Sequence, residues 1–317
     1  MEQSSRKIRS RMHAAPQGRR IEVTPRDLAL FKLLDRYRYL PSNFLHAFVG
    51  GNPIHHKARL TDLFHEGWLG KPAPQWEAMN ARYRFDTYEL GRKATAALAE
   101  RGLLGGDRIG SGGAFRHELM VCLVMASIEL EARQSEIGLL SAKDILGMAP
   151  ASTREAEAPF VIPLSFDHQG RRFNRPLRPD GRPFGLRVGE RTFWFVGIEA
   201  DRHSEPLHPT DLMSRHSSIL GKILQYRHLV RERIFESHYG MGNVFVPIIT
   251  VNTEHMQNMI SLVLKITDGR GFKWMLFKAV PDFVSLEKTI RPQSDLLVEP
   301  WLRAGNPPLS LVEELQR

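Results

Sequence analysis

Phe193-Trp194-Phe195-Val196-Gly197-Ile198-Glu199-Ala200-Asp201 is a continuous apolar run that closes on two acids one residue apart. Its apolar part, Phe193 to Ile198, predicts a strand from Thr192 to Glu199 covered on both faces, at the centre of an α/β sheet. Shorter strands are expected before it, around Phe160 to Ile162 and Gly185 to Val188. Two apolar ones are expected after it, Val244 to Val251 and Trp274 to Val280. Helices fill the intervals: Arg116 to Arg133, apolar almost all round and therefore buried, then about Asp211 to Glu236, and around Glu254 to Thr267. This alternation predicts a mixed α/β domain over residues 116–290, with a C-terminal extension over 291–317.

Upstream the pattern is different. Thr24-Pro25-Arg26-Asp27 combines an N-cap, a first-turn proline and an acid three residues after the cap, so a helix begins there with Leu28, Leu30, Phe31 and Leu34 as its apolar residues. A short second helix follows Pro41-Ser42. Gly50-Gly51-Asn52-Pro53 stops it and starts a third, which turns Leu60, Leu63 and Phe64 inward and ends at Gly67. Trp68-Leu69 and Ala81 to Asp86 then read as two strands of a hairpin. Three helices followed by a hairpin is the outline of a winged helix-turn-helix, expected over residues 21–104 and closed by a helix in Gly91 to Leu103. Its DNA-facing residues would be His55, Lys57 and Arg59 on the third helix and Arg82 and Arg84 on the hairpin, although ordinary solvated positions look the same in sequence.

Composition points the same way. The 317 residues carry 44 Lys and Arg against 35 Asp and Glu, a formal net charge of +9, which makes a polyanion such as double-stranded DNA the natural partner. Residues 1–20 hold six of those cations against one acid with no apolar periodicity, the composition of a disordered basic tail. Six glycines between Gly102 and Gly113 mark a linker, placed at 105–115, and lack the Lys-Ser or Lys-Thr of a phosphate loop. The single cysteine, Cys122, lies in an apolar run and reads as a buried structural thiol. No stretch approaches the ~20 apolar residues of a membrane span, and no signal-peptide core is present, so a cytoplasmic protein without membrane partners is expected.

The chemistry-bearing residues cluster in the second half. Pro179-Asp180 precedes one strand and Glu199 ends its partner, so the two carboxylates can meet at one edge of a hairpin. Such acids hold Mg²⁺ or Mn²⁺, hard cations that prefer oxygen and that polarise a phosphate and acidify a bound water. Lys222 and Tyr226 are spaced i, i+4 on one helix face, where lysine would stabilise a pentacovalent phosphate. His117 or Glu118, at the start of the first buried helix, offers a further ligand beside Asp180 and Glu199. The loop acid and histidines Glu205, His203 and His208 match no standard zinc spacing and read as solvated. Pro281-Asp282 reads as a turn.

The order His117, Pro179-Asp180, Glu199-x-Asp201, Lys222 and Tyr226 resembles the PD-(D/E)xK phosphodiesterase superfamily, which has the restriction-endonuclease-like fold. More narrowly, Thr24-Pro25-Arg26-Asp27 with Tyr37-Arg38-Tyr39-Leu40, Arg178-Pro179-Asp180 and Glu199-Ala200-Asp201-Arg202-His203-Ser204-Glu205 followed by Lys222 and Tyr226 resemble the replication-relaxation family of plasmid and mobile-element proteins. The resemblance spans residues 22 to 302 and closes with Trp301. It implies a winged domain followed by a nuclease-like domain, with Asp180, Glu199, Asp201, Lys222 and Tyr226 at the nuclease-like site and Mg or Mn as cofactor if that site is active. Asp201 stands where the superfamily places lysine. Either Lys222 replaces that cation, or the site is inactive and Asp201 pairs with Arg202, Arg215 or another arginine. Three functions follow as expectations: a DNA-binding protein of a mobile element acting in replication, relaxation or mobilisation; a metal-dependent endonuclease targeted by its winged domain; or an adaptor to replication or transfer proteins. A homodimer would suit a winged reader of two half-sites.

Overall fold

The computed structural model describes residues 10–77, 84–106, 108–109, 113–168, 170–202, 206–207, 218–283, 290–293 and 295–316. The chain divides into two compact units, residues 1–108 with 286–291, and residues 109–285 with 292–317.

In the first unit, α1 (Pro25–Tyr37) starts as its sequence predicts. Thr24 accepts from Asp27 N–H, the Asp27 carboxylate accepts from Thr24 N–H at 2.8 Å, and Pro25 occupies the first turn. β1 (Leu40–Pro41) and α2 (Ser42–Val49) follow. Asn52 then caps α3 (Pro53–His65) by accepting from Ile54 and His55 N–H. β2 (Leu69–Gly70), β3 (Thr87–Leu90) and α4 (Arg92–Glu100) complete the unit, with the strands in the antiparallel order β1-β3-β2. Leu30, Phe31, Leu34, Leu45, Leu60 and Leu63, each no more than 1% exposed, supply its core. The second hairpin strand therefore lies one step later than Ala81 to Asp86. Of that span, residues 81–83, including Arg82, fall outside the described residues.

Residues 10–20 do not run loose as the basic tail was expected to. Ala15 and Gln17 donate backbone N–H groups to His65 Nδ1 and Glu66 on and just beyond α3, and Arg19 reaches Asp62 at 3.3 Å. Acids and an imidazole on α3 supply the partners that hydropathy alone could not reveal.

The second unit begins with α5 (Phe115–Gln134), whose residues 118–132 are all buried. Next come β4 (Gly138–Leu140), α6 (Ala142–Met148), α7 (Ala151–Arg154) and the hairpin β5 (Ser165–His168) and β6 (Arg171–Asn174). The site-bearing strands are β7 (Phe184–Val188), β8 (Arg191–Phe195) and β9 (Glu199–Asp201). α8 (Ile219–Arg231), α9 (Ile234–Tyr239), β10 (Val246–Thr250), α10 (Thr253–Ile266) and β11 (Met275–Ala279) follow. β12 (Trp301–Arg303), β13 (Asn306–Leu309) and α11 (Leu311–Gln316) end the chain. Two sheets, β4-β7-β8 and β13-β12-β11-β10-β9, meet where Phe195 bridges Phe245. β9, β10 and β11 run parallel, whereas β4, β7 and β8 are antiparallel, so the architecture is mixed α/β.

Three expectations change here. The strand expected from Thr192 to Glu199 is divided: β8 stops at Phe195 and β9 starts at Glu199, with Gly197 at φ 148 between them. The helix expected from Asp211 to Glu236 is α8 and α9, separated at Arg233 with φ 51, and residues 211–217 fall outside the described residues. The C-terminal segment is no peripheral extension. β12 and β13 extend the sheet, Trp301 is 1% exposed, and the Glu131 carboxylate on buried α5 accepts from Leu297 and Val298 N–H.

Candidate functional site

The carboxylates of Asp180 and Glu199 meet because the backbone permits an unusually close approach. Gly181 N–H donates to Ile198 O at 3.0 Å, which extends the β7–β8 pairing past its regular end. A Cβ on Gly197 would lie 2.5 Å from both Gly181 O and Pro179 Cβ, so only glycine lets the Pro179-Asp180 turn seat against the strand. Ala200 N–H then donates to Asp180 Oδ2 at 3.0 Å.

α8 completes the cluster. Lys222 Nζ lies 2.7 Å from Glu199 Oε2 and 3.4 Å from Asp180 Oδ2. One turn on, the fully buried Tyr226 donates its hydroxyl to Glu199 Oε1. From the first turn of α5, His117 Nε2 approaches Asp180 Oδ1 at 3.2 Å. The sequence thus brings His117, Asp180, Glu199, Lys222 and Tyr226 together, but Asp201 is elsewhere. Its carboxylate pairs with His255 Nε2 of α10 at 2.5 Å, both side chains buried. Asp201 is therefore anchored to α10, and its charge also acts on the neighbouring Arg202; Arg215, His203, Glu205 and His208 lie outside the described residues.

The two carboxylates are driven in opposite directions. Burial pushes the Glu199 carboxyl up, to about 8, with the nearby Asp180 charge adding to the effect and Lys222 and Tyr226 opposing it. Burial also resists ionisation of Asp180, but Lys222, His117 and the Ala200 N–H together outweigh it and hold Asp180 below the usual carboxylate range. The hydrogen bond to Asp180 raises His117 against the effect of its burial.

This donor set does not fit a resident divalent cation. Asp180 Oδ1 faces His117, Asp180 Oδ2 faces Lys222 and Ala200 N–H, Glu199 Oε1 accepts from Tyr226, and Glu199 Oε2 lies against Lys222. Glu118, beside His117, accepts from Gly113 N–H. Among the described residues no group of three or more His, Cys, Asp or Glu is placed to hold a metal ion. The lysine ammonium occupies the position between the carboxylates that Mg²⁺ or Mn²⁺ was expected to take.

No family model, curated protein or solved structure matches the chain.

The first unit has a site of a different kind. A groove of ≈ 1070 Å³ runs beside the start of α3 and the segment leading into β3. Its lining includes Arg11, Lys57, Lys71, Arg84 and Arg291, five cations against one acid, Asp86. Two apolar side chains there face solvent, Ile54 at 75% and Phe85 at 46% exposure. Arg11 and Lys71 both pair with Asp86, at 2.6 and 2.7 Å. Burial holds Lys71 below the usual ammonium range against the pull of Asp86. Burial likewise drops the neighbouring His56 to about 4, so it is neutral at physiological pH.

Of the expected DNA-facing residues, Lys57 and Arg84 line this groove, and His55 is exposed on α3 outside it. Arg59 is committed elsewhere. Its guanidinium donates to both oxygens of buried Asp27, at 3.0 and 2.6 Å, and to Glu22 O, tying α3 to the N-terminus of α1. Sequence reading missed Arg11, Lys71, Ile54, Phe85 and Arg291. Spacing along one helix cannot find a wall assembled from the arm, the hairpin and a segment two hundred residues away, although Arg11 carried a signal in the basic composition of the arm.

Among the described residues no helix is long and apolar enough to cross a membrane.

Proposed function

We propose that the protein binds double-stranded DNA through its first unit, used as a winged helix-turn-helix, and serves a plasmid or other mobile element. The groove carries this reading. At ≈ 1070 Å³ it exceeds what a small ligand needs, ~300–1,000 Å³, and suits a segment of a polymer. Five cations against one acid suit a polyanion, and the exposed Ile54 and Phe85 suit sugar and base surfaces between phosphates. The turn at Gly50 and Gly51, both at positive φ, and the cap at Asn52 support the use of α3 as the recognition helix. The first test is direct: duplex DNA should bind the full chain with strong salt dependence, and Lys57→Ala with Arg84→Ala should weaken it on every sequence tried. Sequence-independent loss with reduced salt dependence supports the reading, whereas unchanged affinity refutes it.

A second reading, DNA cleavage by the other unit, is favoured by one observation, the meeting of Asp180, Glu199, Lys222 and His117 at the head of β9. It supports a nuclease-like ancestry of the fold. Because the carboxylates hold Lys222, no cleavage step follows from the arrangement. Divalent-dependent nicking by the wild-type chain, lost in Asp180→Asn, would establish it; intact DNA across Mg²⁺ and Mn²⁺ titrations would leave DNA binding alone.

A further inference from the structure

The groove beside α3 has an apolar feature that phosphate contact does not use. Ile54 is 75% exposed, the largest fraction among the exposed large apolar side chains of the described residues. It is the second residue of α3, and its i+3, i+4 and i+7 neighbours Lys57, Ala58 and Thr61 share its face, opposite buried His56, Leu60 and Leu63. Ile54, Lys57 and Thr61 line the groove, and a recognition helix brings its N-terminal residues to the base edges.

The start of α3 is held in place. Asn52 accepts from the N–H groups of Ile54 and His55 at 2.9 and 3.2 Å, Pro53 takes the first helical position, and the Arg26 guanidinium donates to Gly50 O. A β-branched side chain in a helix keeps one dominant χ1 rotamer, so Ile54 is presented with little freedom left to lose.

The chemistry of this face narrows what it reads. α3 has no Asn or Gln to pair with adenine, and its single arginine, Arg59, is held by Asp27. Asp62, which could accept from cytosine, pairs with Arg19 at 3.3 Å, and the Thr61 hydroxyl donates to Lys57 O at 2.9 Å. Along the major groove the base edges offer donors, acceptors and one apolar group, the methyl on C5 of thymine. A cytosine methylated at C5 offers the same group.

We infer that α3 reads a pyrimidine 5-methyl group in the major groove, with Ile54 as the contacting side chain. The inference rests on the DNA-binding reading and adds the base feature that sets specificity.

The test uses a duplex that the full chain enriches from a randomised pool. It is prepared with thymine, with deoxyuridine in place of thymine, and with 5-methylcytosine in place of cytosine, and affinity is measured across a KCl series. Wild-type affinity should change about fourfold per methyl contacted, the equivalent of the ~0.8 kcal/mol of one buried carbon group. Ile54→Ser should bind the methylated and unmethylated duplexes alike, whereas Ile54→Val, which keeps the branched carbon, should retain the discrimination. Because the position is exposed, circular dichroism and the salt slope of both variants should match the wild type. Weaker binding to the deoxyuridine duplex assigns thymine as the source, and tighter binding to the 5-methylcytosine duplex alone assigns methylated DNA; either supports the contact. A wild type that treats the three duplexes alike, or a folded Ile54→Ser that still discriminates, overturns it. Salt-dependent binding that persists in that result leaves the DNA reading standing, and absence of any such binding removes both.

Discussion

Arg59 lies on the helix expected to face DNA, yet its guanidinium closes on Asp27, a carboxylate whose own exposure is 1%. Removing one partner of a pair that is buried on the acid side leaves a desolvated charge with weaker compensation. Arg59→Ala should therefore destabilise the fold by on the order of 2 kcal/mol in urea denaturation. It should leave the salt slope of DNA binding unchanged wherever the variant remains folded. Glu199 makes a second prediction at this scale. Its carboxyl is raised from the ordinary 4.5 to about 8, so the folded state binds more protons than the unfolded. Stability linked to Glu199 is then complete below about 4.5 and is lost as pH rises through 8. Glu199→Gln should flatten that decline, seen as unfolding midpoints that converge with or overtake the wild type toward pH 8. Asp180 works the other way. It is held below its ordinary 3.8, so its contribution is present above that pH and lost as pH falls through the lower folded value. Asp180→Asn should destabilise at neutral pH and matter least in acid.

At the scale of elements, the break between β8 and β9 decides where the carboxylates stand. Gly197 at φ 148 lies in a region that side chains rarely enter, which costs ~1–3 kcal/mol for another residue before the clash with Pro179 is counted. Gly197→Ala should push the Pro179-Asp180 turn off the strand and separate Asp180 from Ala200 N–H, read as lost stability together with loss of the Asp180 pH dependence. If Gly197→Ala melts like the wild type, the close approach does not matter. This element also shows what sequence can and cannot convey. The apolar run from Phe193 to Ile198 located the strand region, but a three-residue interruption at 196–198, set by a turn some seventeen residues upstream, leaves no mark in hydropathy. The starts of α1 and α3 were legible because Thr24, Asp27 and Asn52 cap through their own neighbours in sequence. Residues 10–20 were not, because the partners of the arm sit on α3, forty to fifty residues away. Likewise Lys222 and Tyr226 were found by their i, i+4 spacing, while the seating of Lys222 against both carboxylates and the pairing of Asp201 with His255 depend on distances that only the folded chain sets.

At the scale of the whole molecule, the net charge of +9 includes five cations gathered against one acid along the groove of the first unit. Part of the positive charge is paired internally: Arg59 with Asp27, Arg11 and Lys71 with Asp86 within the groove itself, and Lys222 with the carboxylate pair. The formal excess therefore overstates the cations available to a partner, and in the groove beside α3 Asp86 offsets part of the positive charge. Division of the chain also departs from the linear order, since residues 286–291 belong with the first unit and Asn43 donates to Ile290 O at 2.7 Å there. The measurement that bears most directly on DNA binding is the affinity of the full chain for duplex DNA as a function of KCl concentration, compared with Lys57→Ala/Arg84→Ala. Each phosphate contact contributes ~0.9 to the slope of log affinity against log salt. Loss of two should lower the slope by about 2 and weaken binding on all sequences alike. A slope equal to that of the wild type, or no duplex binding by the wild type at low salt, would contradict the account.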